Sequence, residues 1–374
     1  MRILLTSPYR IFPTNSGGAV RTVEFAKALQ KLDNDVHILS AKPSTPQDLP
    51  SGLTCHFFTP LGSVGYFFNV SFFLNMRAIM QQQFDFIIAG FPFQAAMITP
   101  LARARETALI YDAHNVEADR FRKMRRPLIA KVVGVAERLI CNSANLVLTV
   151  SENDQTLLNR EYETTSAIVA NGVDTGAFSP GTAASQTLKT LRLREGDYLL
   201  FFGGYDYPPN VEAARFLLEN VWPTTTKALP ALKLVLAGRC PHKWMHGHHN
   251  VVVTGAVDDL QSLIRGARII LAPLFSGGGT RLKIIEALAC GKNVLSTPFG
   301  ALGITDNDSP ALRLSKPSAF TDTLISMIKD TADDNLCGNT QARELANRFD
   351  WTHVIAQSWP TMVAASKASQ VSRT

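Results

Sequence analysis

The chain has 374 residues, which at roughly 150 residues per domain predicts two domains, or three. Hydrophobic residues make up 46% and charged residues 18%; against typical values of roughly 45–50% and about 25% this is an ordinary globular composition, and it excludes a disordered or collagen-like chain. The formal charge of +6 suits an anionic small molecule or an anionic membrane surface as well as nucleic acid, so charge alone selects none of them.

Short apolar or β-branched runs alternate with longer helical patterns twice over, the signature of parallel sheets covered by helices. In the first half the predicted strands are 2–7, 36–41, 86–90, 109–112, 146–151 and 167–169; in the second they are 198–202, 232–238, 251–257, 269–274, 293–297 and 311–314. The pattern predicts two doubly wound α/β domains. The stretch 171–182 is rich in turn formers and has no helix or strand period, so the boundary is expected near 175–190. In open parallel sheets ligands bind beyond the carboxyl ends of the strands, so two such domains are expected to share a site in the cleft between them.

Three segments stand just after predicted strands. The first is Asn15-Ser16-Gly17-Gly18, ahead of a helical pattern over 19–32 that carries Arg21. Its two glycines let backbone amides approach a phosphate at a helix N-terminus; the plain alternative is a tight turn. The second is Tyr111-Asp112-Ala113-His114-Asn115-Val116-Glu117. That many polar groups after a buried strand build a poor core, so His114 is a functional candidate, or else a histidine simply hydrogen-bonded in place.

The third and richest segment spans 269–304. A strand runs to Leu274, Gly277, Gly278 and Gly279 make a turn, and a helix is expected from near Thr280 to just before Gly291. Its apolar stripe is Leu282, Ile285 and Ala289; at about 100° per residue Glu286 falls about 40° from Leu282, at the edge of the buried face. A carboxylate there needs partners, and a ribose diol offers two hydroxyl donors. Arg281 and Lys283 are badly placed for the helix dipole unless an anion such as a diphosphate sits beside them. The plain reading is an amphipathic helix with a Lys283–Glu286 surface pair.

The segment 276–300 resembles the donor site of family 4 retaining glycosyltransferases with the two-Rossmann GT-B fold, in the variant marked by a glycine run, Thr-Arg-Leu-Lys and then Glu-Ala. The resemblance extends to Asp112-Ala113-His114-Asn115, to Ala170-Asn171-Gly172-Val173-Asp174, to the run 202–210 and to Phe349-Asp350-Trp351, so it covers nearly the whole chain. It implies an acceptor-side domain over 1–178, a donor domain over 179–352 and a C-terminal segment, 353–374, whose helix (roughly 351–366) crosses back to the first domain. The implied activity is transfer of a hexose from a nucleoside diphosphate sugar, with retention and without a metal or other cofactor. The acceptor would be a glycan or a lipid-linked precursor. By the same resemblance Glu286 holds the ribose, Arg281 and Lys283 the diphosphate in a binding and catalytic role, and Gly17 and Gly18 the phosphates from the other domain. His114 reaches the donor sugar, and Gly255 and Val257 lie beside the nucleobase. Gly278, Gly279, Thr280 and Asn210 complete the donor contacts. Two departures stand out: Gly278 occupies the place of the family's second glutamate, and the usual Arg…Lys pair after the first strand of the second domain is replaced by 205–210. Arg281 and Lys283 are expected to supply that missing charge. The alternatives are a nucleotide-sugar epimerase of the same fold and a non-catalytic, transferase-like accessory subunit.

Other features exclude more than they assign. Five dispersed cysteines without a CxxC pair point to a reduced, cytoplasmic compartment. The N-terminal apolar run is too short for a signal peptide, and no stretch approaches the ~18 apolar residues of a membrane span. The glycine run lacks the Gly-Lys-Ser/Thr order of a nucleotide triphosphate loop. Asp306-Asn307-Asp308 has a metal-binding spacing but sits in a polar loop, and His242, His246, His248 and His249 read as a solvated turn. The aromatic stretch 62–76 and the cations Arg120, Arg122, Lys123, Arg125, Arg126 and Lys131 together suit an anionic bilayer, or else a buried helix and a solvated face. Nucleic acid is not among the expected partners.

Overall fold

The computed structural model describes residues 1–14, 16–44, 49–61, 67–183, 185–277, 281–305, 310–330 and 339–371. Gly278, Gly279 and Thr280, expected as donor contacts, lie outside the described residues, as do Asp306, Asn307 and Asp308 and the stretch 62–66.

The chain divides into two compact units, one of Met1–Asn171 with Trp351–Thr374 and one of Gly172–Asp350. In chain order the first unit contains β1 (Arg2–Thr6), α1 (Gly17–Lys31), β2 (Asp35–Ala41), β3 (Thr54–Phe58), α2 (Val70–Ile79), β4 (Phe86–Ala89) and α3 (Ala95–Ala104). Next come β5 (Ala108–Ala113), α4 (Glu117–Lys123), α5 (Pro127–Ser143), β6 (Leu146–Thr149), α6 (Glu152–Tyr162) and β7 (Ala167–Ile168). Its seven strands form one parallel sheet in the order β3-β2-β1-β4-β5-β6-β7. Successive residues of β1 feed opposite layers: Leu4 packs with Phe72, Met76 and Ile98, while Ile3 and Leu5 pack with Val23, Phe25 and Leu29. Burial on both faces explains why the central strands are apolar without alternation.

The second unit contains α7 (Ser185–Thr190), β8 (Tyr198–Phe202), α8 (Pro208–Phe216), α9 (Trp222–Ala228), β9 (Lys233–Ala237), β10 (Val251–Gly255) and α10 (Leu260–Gly266). It continues with β11 (Ile269–Ala272), α11 (Leu282–Ala289), β12 (Val294–Ser296), β13 (Leu312–Leu314), α12 (Phe320–Asp330) and α13 (Thr340–Asn347). Its parallel sheet has the order β10-β9-β8-β11-β12-β13. Each sheet therefore reverses its winding direction once, between β1 and β4 and between β8 and β11, and a crevice opens at such a switch point.

Several boundaries differ from the sequence expectation. Residues 172–178 belong to the second unit rather than the first, because that unit satisfies their backbone. Val173 donates its amide to Phe349 O at 2.8 Å, and Arg343 donates to Thr175 O and Phe178 O at 2.6 and 2.8 Å. At the other end the second unit closes at Asp350, whose carboxylate accepts from Thr175 Oγ1 at 2.6 Å. The last helix, α14 (Trp351–Val371), begins the return to the first unit and is longer than expected. Its Trp351, Val354, Ile355 and Met362 recur at helical spacing and join the core formed by Val23, Phe25 and Ala26. Strand β10 ends at Gly255 rather than 257, since its register with β9 shifts between Val253 and Gly255. Strand β3 has no counterpart among the predicted strands; it is an edge strand whose Cys55, His56 and Phe57 are only half-buried, so its pattern is weak.

Candidate active site

The first unit gathers its candidates at the carboxyl ends of β1, β4 and β5. Gly17 and Gly18 are not a turn ahead of the helix but its first two residues, after Ser16, whose Oγ accepts from the Ala19 amide at 3.4 Å. The helix's foremost amides thus belong to residues without side chains. Gly18 is hemmed in: a Cβ there would stand 3.1 Å from Phe91 Cζ and 3.4 Å from His114 Nδ1. On another side of the imidazole, a Cβ at Gly90 would stand 3.3 Å from Nε2. The Phe91 ring lies edge-on, 4.7 Å from the His114 ring centre. The structure therefore brings Gly18 and His114 together, with Gly17 next to Gly18 in the first turn of the helix.

Behind His114 stands a buried ionic chain. His114 Nε2 lies 3.0 Å from Asp112 Oδ2, and Arg21 donates to both oxygens of that carboxylate, from Nε at 2.9 Å and from a terminal nitrogen at 2.6 Å. Arg21 also donates to Asn171 Oδ1 at 2.9 Å, and its guanidinium lies over the rings of Phe25 and Trp351. Burial works to raise the Asp112 carboxyl, but Arg21 and His114 more than reverse it and hold the group well below the usual carboxylate range. An ionised carboxylate only accepts, so Nε2 carries a proton and donates to it. That leaves Nδ1, buried and without a hydrogen-bond partner among the described residues, open beside Gly18.

A second buried carboxylate anchors the helix beyond His114. Helix α4 has no side-chain cap from its own sequence; instead Glu137 of α5 accepts from the amides of Glu117 and Ala118 at 2.8 and 3.1 Å. It also accepts from the hydroxyls of Tyr111 and Tyr162 at 3.1 and 2.7 Å. Four donors satisfy a fully buried carboxylate and hold in place the helix that begins three residues after His114.

In the second unit the loops after β8 and β11 meet. Helix α11 starts at Leu282, two residues later than expected, with Arg281 at the N-cap position and no acidic residue in its first turn. Arg281 donates to Gly277 O at 3.1 Å and lies 4.9 Å over the Phe299 ring. Lys283 is not the partner of Glu286 in a surface pair. It donates from Nζ to Asn210 Oδ1 at 2.6 Å and stands 4.2 Å over the Phe201 ring. Asn210, expected as a ligand contact, has both ends of its amide engaged by protein, since Nδ2 donates to Gly204 O at 2.8 Å. It ties the loop after β8 to the first turn of α11.

Burial pushes the Lys283 ammonium below its usual range, with Arg281 adding to the shift and Glu286 opposing it. It pushes the Glu286 carboxyl up, with Lys283 opposing. The Glu286 carboxylate has no hydrogen-bond partner among the described residues. Gly277 needs its left-handed backbone, φ 109°, and a Cβ there would fall 2.6 Å from the Tyr207 hydroxyl. At the end of β10, Gly255 O accepts from the Gly238 amide at 2.8 Å. Val257 packs its side chain against the unit's core.

Arg281, Lys283, Glu286 and Asn210 are thus assembled on one unit and Gly17, Gly18 and His114 on the other. The residues that the sequence did not reveal are Asp112 as the partner of His114, Arg21 behind it, Glu137, and the rings of Phe201 and Phe299 under the two cations. Only the burial of Arg21 on an otherwise apolar helix face could have signalled them. Of the four clustered histidines, His242 and His248 are engaged with backbone carbonyls of Tyr205 and Trp244.

Residues 15–177 match the family described as Glycosyltransferase Family 4, and residues 196–330 match Glycosyl transferases group 1. Among curated proteins, the phosphatidyl-myo-inositol mannosyltransferase of Mycolicibacterium smegmatis is 28% identical over 200 residues, 50% of this chain and 49% of its own length. This chain thus spans about half the length of that relative. Among solved structures, sucrose-phosphate synthase from Thermosynechococcus elongatus gives a TM-score of 0.73 at 16% identity, covering 98% of this chain and all of the other. Anabaena HepE in complex with UDP and glucose gives 0.69 at 16%, covering 97% of this chain and all of the other. At that identity the likeness concerns fold alone. With both sheets doubly wound and the two family matches in this order, the chain belongs to the family 4 glycosyltransferases of GT-B fold.

Proposed function

We propose that this chain is a retaining glycosyltransferase that moves a hexose from a nucleoside diphosphate sugar to a glycan or lipid-linked acceptor without a metal ion. The observation that carries the reading is the group at the head of α11: two cations, Arg281 and Lys283, with the unpartnered Glu286 carboxylate on the same helix. Cations where the helix dipole disfavours them suit a diphosphate, and a carboxylate raised by burial gains most from two ribose hydroxyl donors. In this reading the second unit takes the donor, with Glu286 on the ribose, Arg281 and Lys283 on the diphosphate and the backbone of Gly278, Gly279 and Thr280 contributing amides. Gly255 and Val257 serve the nucleobase, and Asn210 holds Lys283. The first unit takes the acceptor, with Gly17 and Gly18 on the donor phosphates and His114 accepting from a sugar hydroxyl at Nδ1.

The acceptor oxygen bonds to the anomeric carbon as the carbon–oxygen bond to phosphate breaks, and its proton passes to the departing phosphate on the same face. The residues then contribute positioning and charge stabilisation rather than a covalent nucleophile. HepE with UDP and glucose supports a nucleoside diphosphate sugar as donor, and the mannosyltransferase acting on a phosphatidyl-inositol supports a lipid-linked acceptor. Free thiols at Cys55, Cys141, Cys240 and Cys290 support a cytoplasmic setting, with the first unit at the inner face of the membrane. Nucleic acid has no part in this reading.

The test is thermal stabilisation by UDP, GDP, ADP, TDP and CMP sugars, repeated for Glu286→Ala. Product anomers are then assigned by NMR in the presence and absence of a chelator. Stabilisation by one nucleotide family, about 2.7 kcal/mol at a hundredfold excess over Kd, lost in the variant, with a retained anomer and chelator-insensitive turnover, is the expected result. Deuterium incorporation into the sugar without an acceptor would make the protein an epimerase, and binding without transfer would make it an accessory subunit.

A further inference from the structure

Helix α5 is apolar on two opposite faces, and only one of them is covered. Ala130, Val133, Ile140 and Cys141 are buried with Glu137 against the first unit. On the far side Leu128, Val132, Val135 and Leu139 are 77%, 55%, 72% and 39% exposed. At about 100° per residue these four fall within an arc of about 60°, so they make one continuous stripe along some three turns of the helix. An uncovered apolar stripe on a folded unit marks an interaction surface.

The charge around the stripe selects its occupant. Residues 121–140 hold six cations, Arg122, Lys123, Arg125, Arg126, Lys131 and Arg138, and one acid, Glu137, which points inward. Arg122 is paired with Glu161, Lys123 with Asp119, and Arg138 donates to Glu161 O. Arg125, Arg126 and Lys131 are exposed and have no ion-pair partner among the described residues. A second copy of this chain would bring cations against cations. A bilayer bearing anionic headgroups offers the opposite charge above an apolar interior, which is what a stripe of this kind flanked by cations requires. No helix among the described residues is long and apolar enough to cross a membrane, so the contact is a surface one.

We infer that the outer face of α5, with Arg125, Arg126 and Lys131, docks the first unit onto an anionic lipid bilayer. The inference rests on, and sharpens, the membrane-surface part of the proposed function. Because α5 runs back toward the start of β6, its basic N-terminal end lies at the same sheet edge as His114, the edge where a lipid-borne acceptor headgroup would arrive. Neither the aromatic stretch 62–76 nor any residue outside those described is needed.

The test is flotation of the whole protein with phosphatidylcholine vesicles and with vesicles that also contain phosphatidylglycerol. Two variants are compared: Leu128→Asp with Val135→Asp, and Arg125→Glu with Arg126→Glu and Lys131→Glu. All measurements are repeated at raised salt, and nucleotide-induced thermal stabilisation is recorded for each protein. Wild type should float with the anionic vesicles alone and less at high salt. The charge variant should lose about a hundredfold in partitioning and the apolar variant at least about tenfold, both with unchanged melting and unchanged nucleotide response. Wild type that ignores anionic vesicles, or variants that float as it does, would overturn the docking face while leaving the donor site standing. A wild-type dimer in light scattering that Val135→Asp dissociates would give the face to a second copy instead.

Discussion

Arg21 and Asp112 are joined by two hydrogen bonds, 2.9 and 2.6 Å long, and both side chains are almost completely withdrawn from solvent. Ninety-one positions separate them in sequence. Such a pair is strongly destabilising to break, because the surviving charge stays buried alone.

Asp112→Asn is therefore expected to cost about 3–5 kcal/mol of stability, and to lower any transfer activity about 10- to 100-fold by releasing His114 from its orientation. The pH dependence has a definite sign. The folded-state carboxyl is held below its ordinary value, 3.8, so its contribution is complete above that value and is lost as pH falls through the lower folded-state range. Acid unfolding followed by circular dichroism should show a flatter acid limb for Asp112→Asn than for wild type; parallel limbs would show that the pair contributes nothing.

Lys283→Gln should weaken nucleoside diphosphate binding by roughly 10- to 100-fold, the range for a charge-assisted bond, with little change in melting temperature. In the free protein the lysine is shifted down by burial from 10.5, and a bound diphosphate stabilises its protonated form. Affinity measured by calorimetry should accordingly fall with rising pH, starting well below the ordinary lysine range. A flat profile up to that range would remove Lys283 from the diphosphate.

Gly18→Ala sets two effects against each other. Alanine in a helix gains about 0.5–1 kcal/mol over glycine, while the new Cβ would press on Phe91 Cζ at 3.1 Å and on His114 Nδ1 at 3.4 Å. The ring's far edge can give way, so melting temperature should change little. The open imidazole nitrogen would be covered, and turnover should drop at least about tenfold by loss of positioning. A fully active variant would detach Gly18 and His114 from catalysis.

Glu137→Gln tests the buried cap of α4. Each carboxylate oxygen accepts from one backbone amide and one tyrosine hydroxyl, and an amide nitrogen in place of either oxygen would confront an N–H that cannot turn away. The expected loss is about 1–3 kcal/mol, read by denaturant unfolding, with hydrogen exchange at Glu117 and Ala118 rising first. Unchanged exchange at those two amides would mean that the helix is held by other contacts.

The sheet architecture is legible in the sequence because central parallel strands are covered on both sides and must be apolar runs: 12 of the 13 strands among the described residues overlap such runs. Strand β3 escapes because an edge strand with half-buried Cys55 and His56 need not be apolar. In the site, glycines and cations after strands mark themselves by being poor core material. What they touch does not: the Lys283–Asn210 bond links residues 73 apart, and nothing local to either chooses it over a Lys283–Glu286 pair. The domain boundary is hidden for a related reason, since turn formers mark irregular backbone and not which body satisfies its hydrogen bonds.

The first unit is built from two pieces of chain with the whole of the second unit between them. During synthesis, Val23, Phe25 and Ala26 emerge early, yet the Trp351, Val354, Ile355 and Met362 side chains that close over them are made only after residue 350. The contiguous second unit can complete its core first, leaving the earlier-made half open with an uncovered apolar layer until α14 arrives. A premature stop within α14 would accordingly injure the unit that was translated first, and a lesion in that helix would be felt at the site of Arg21.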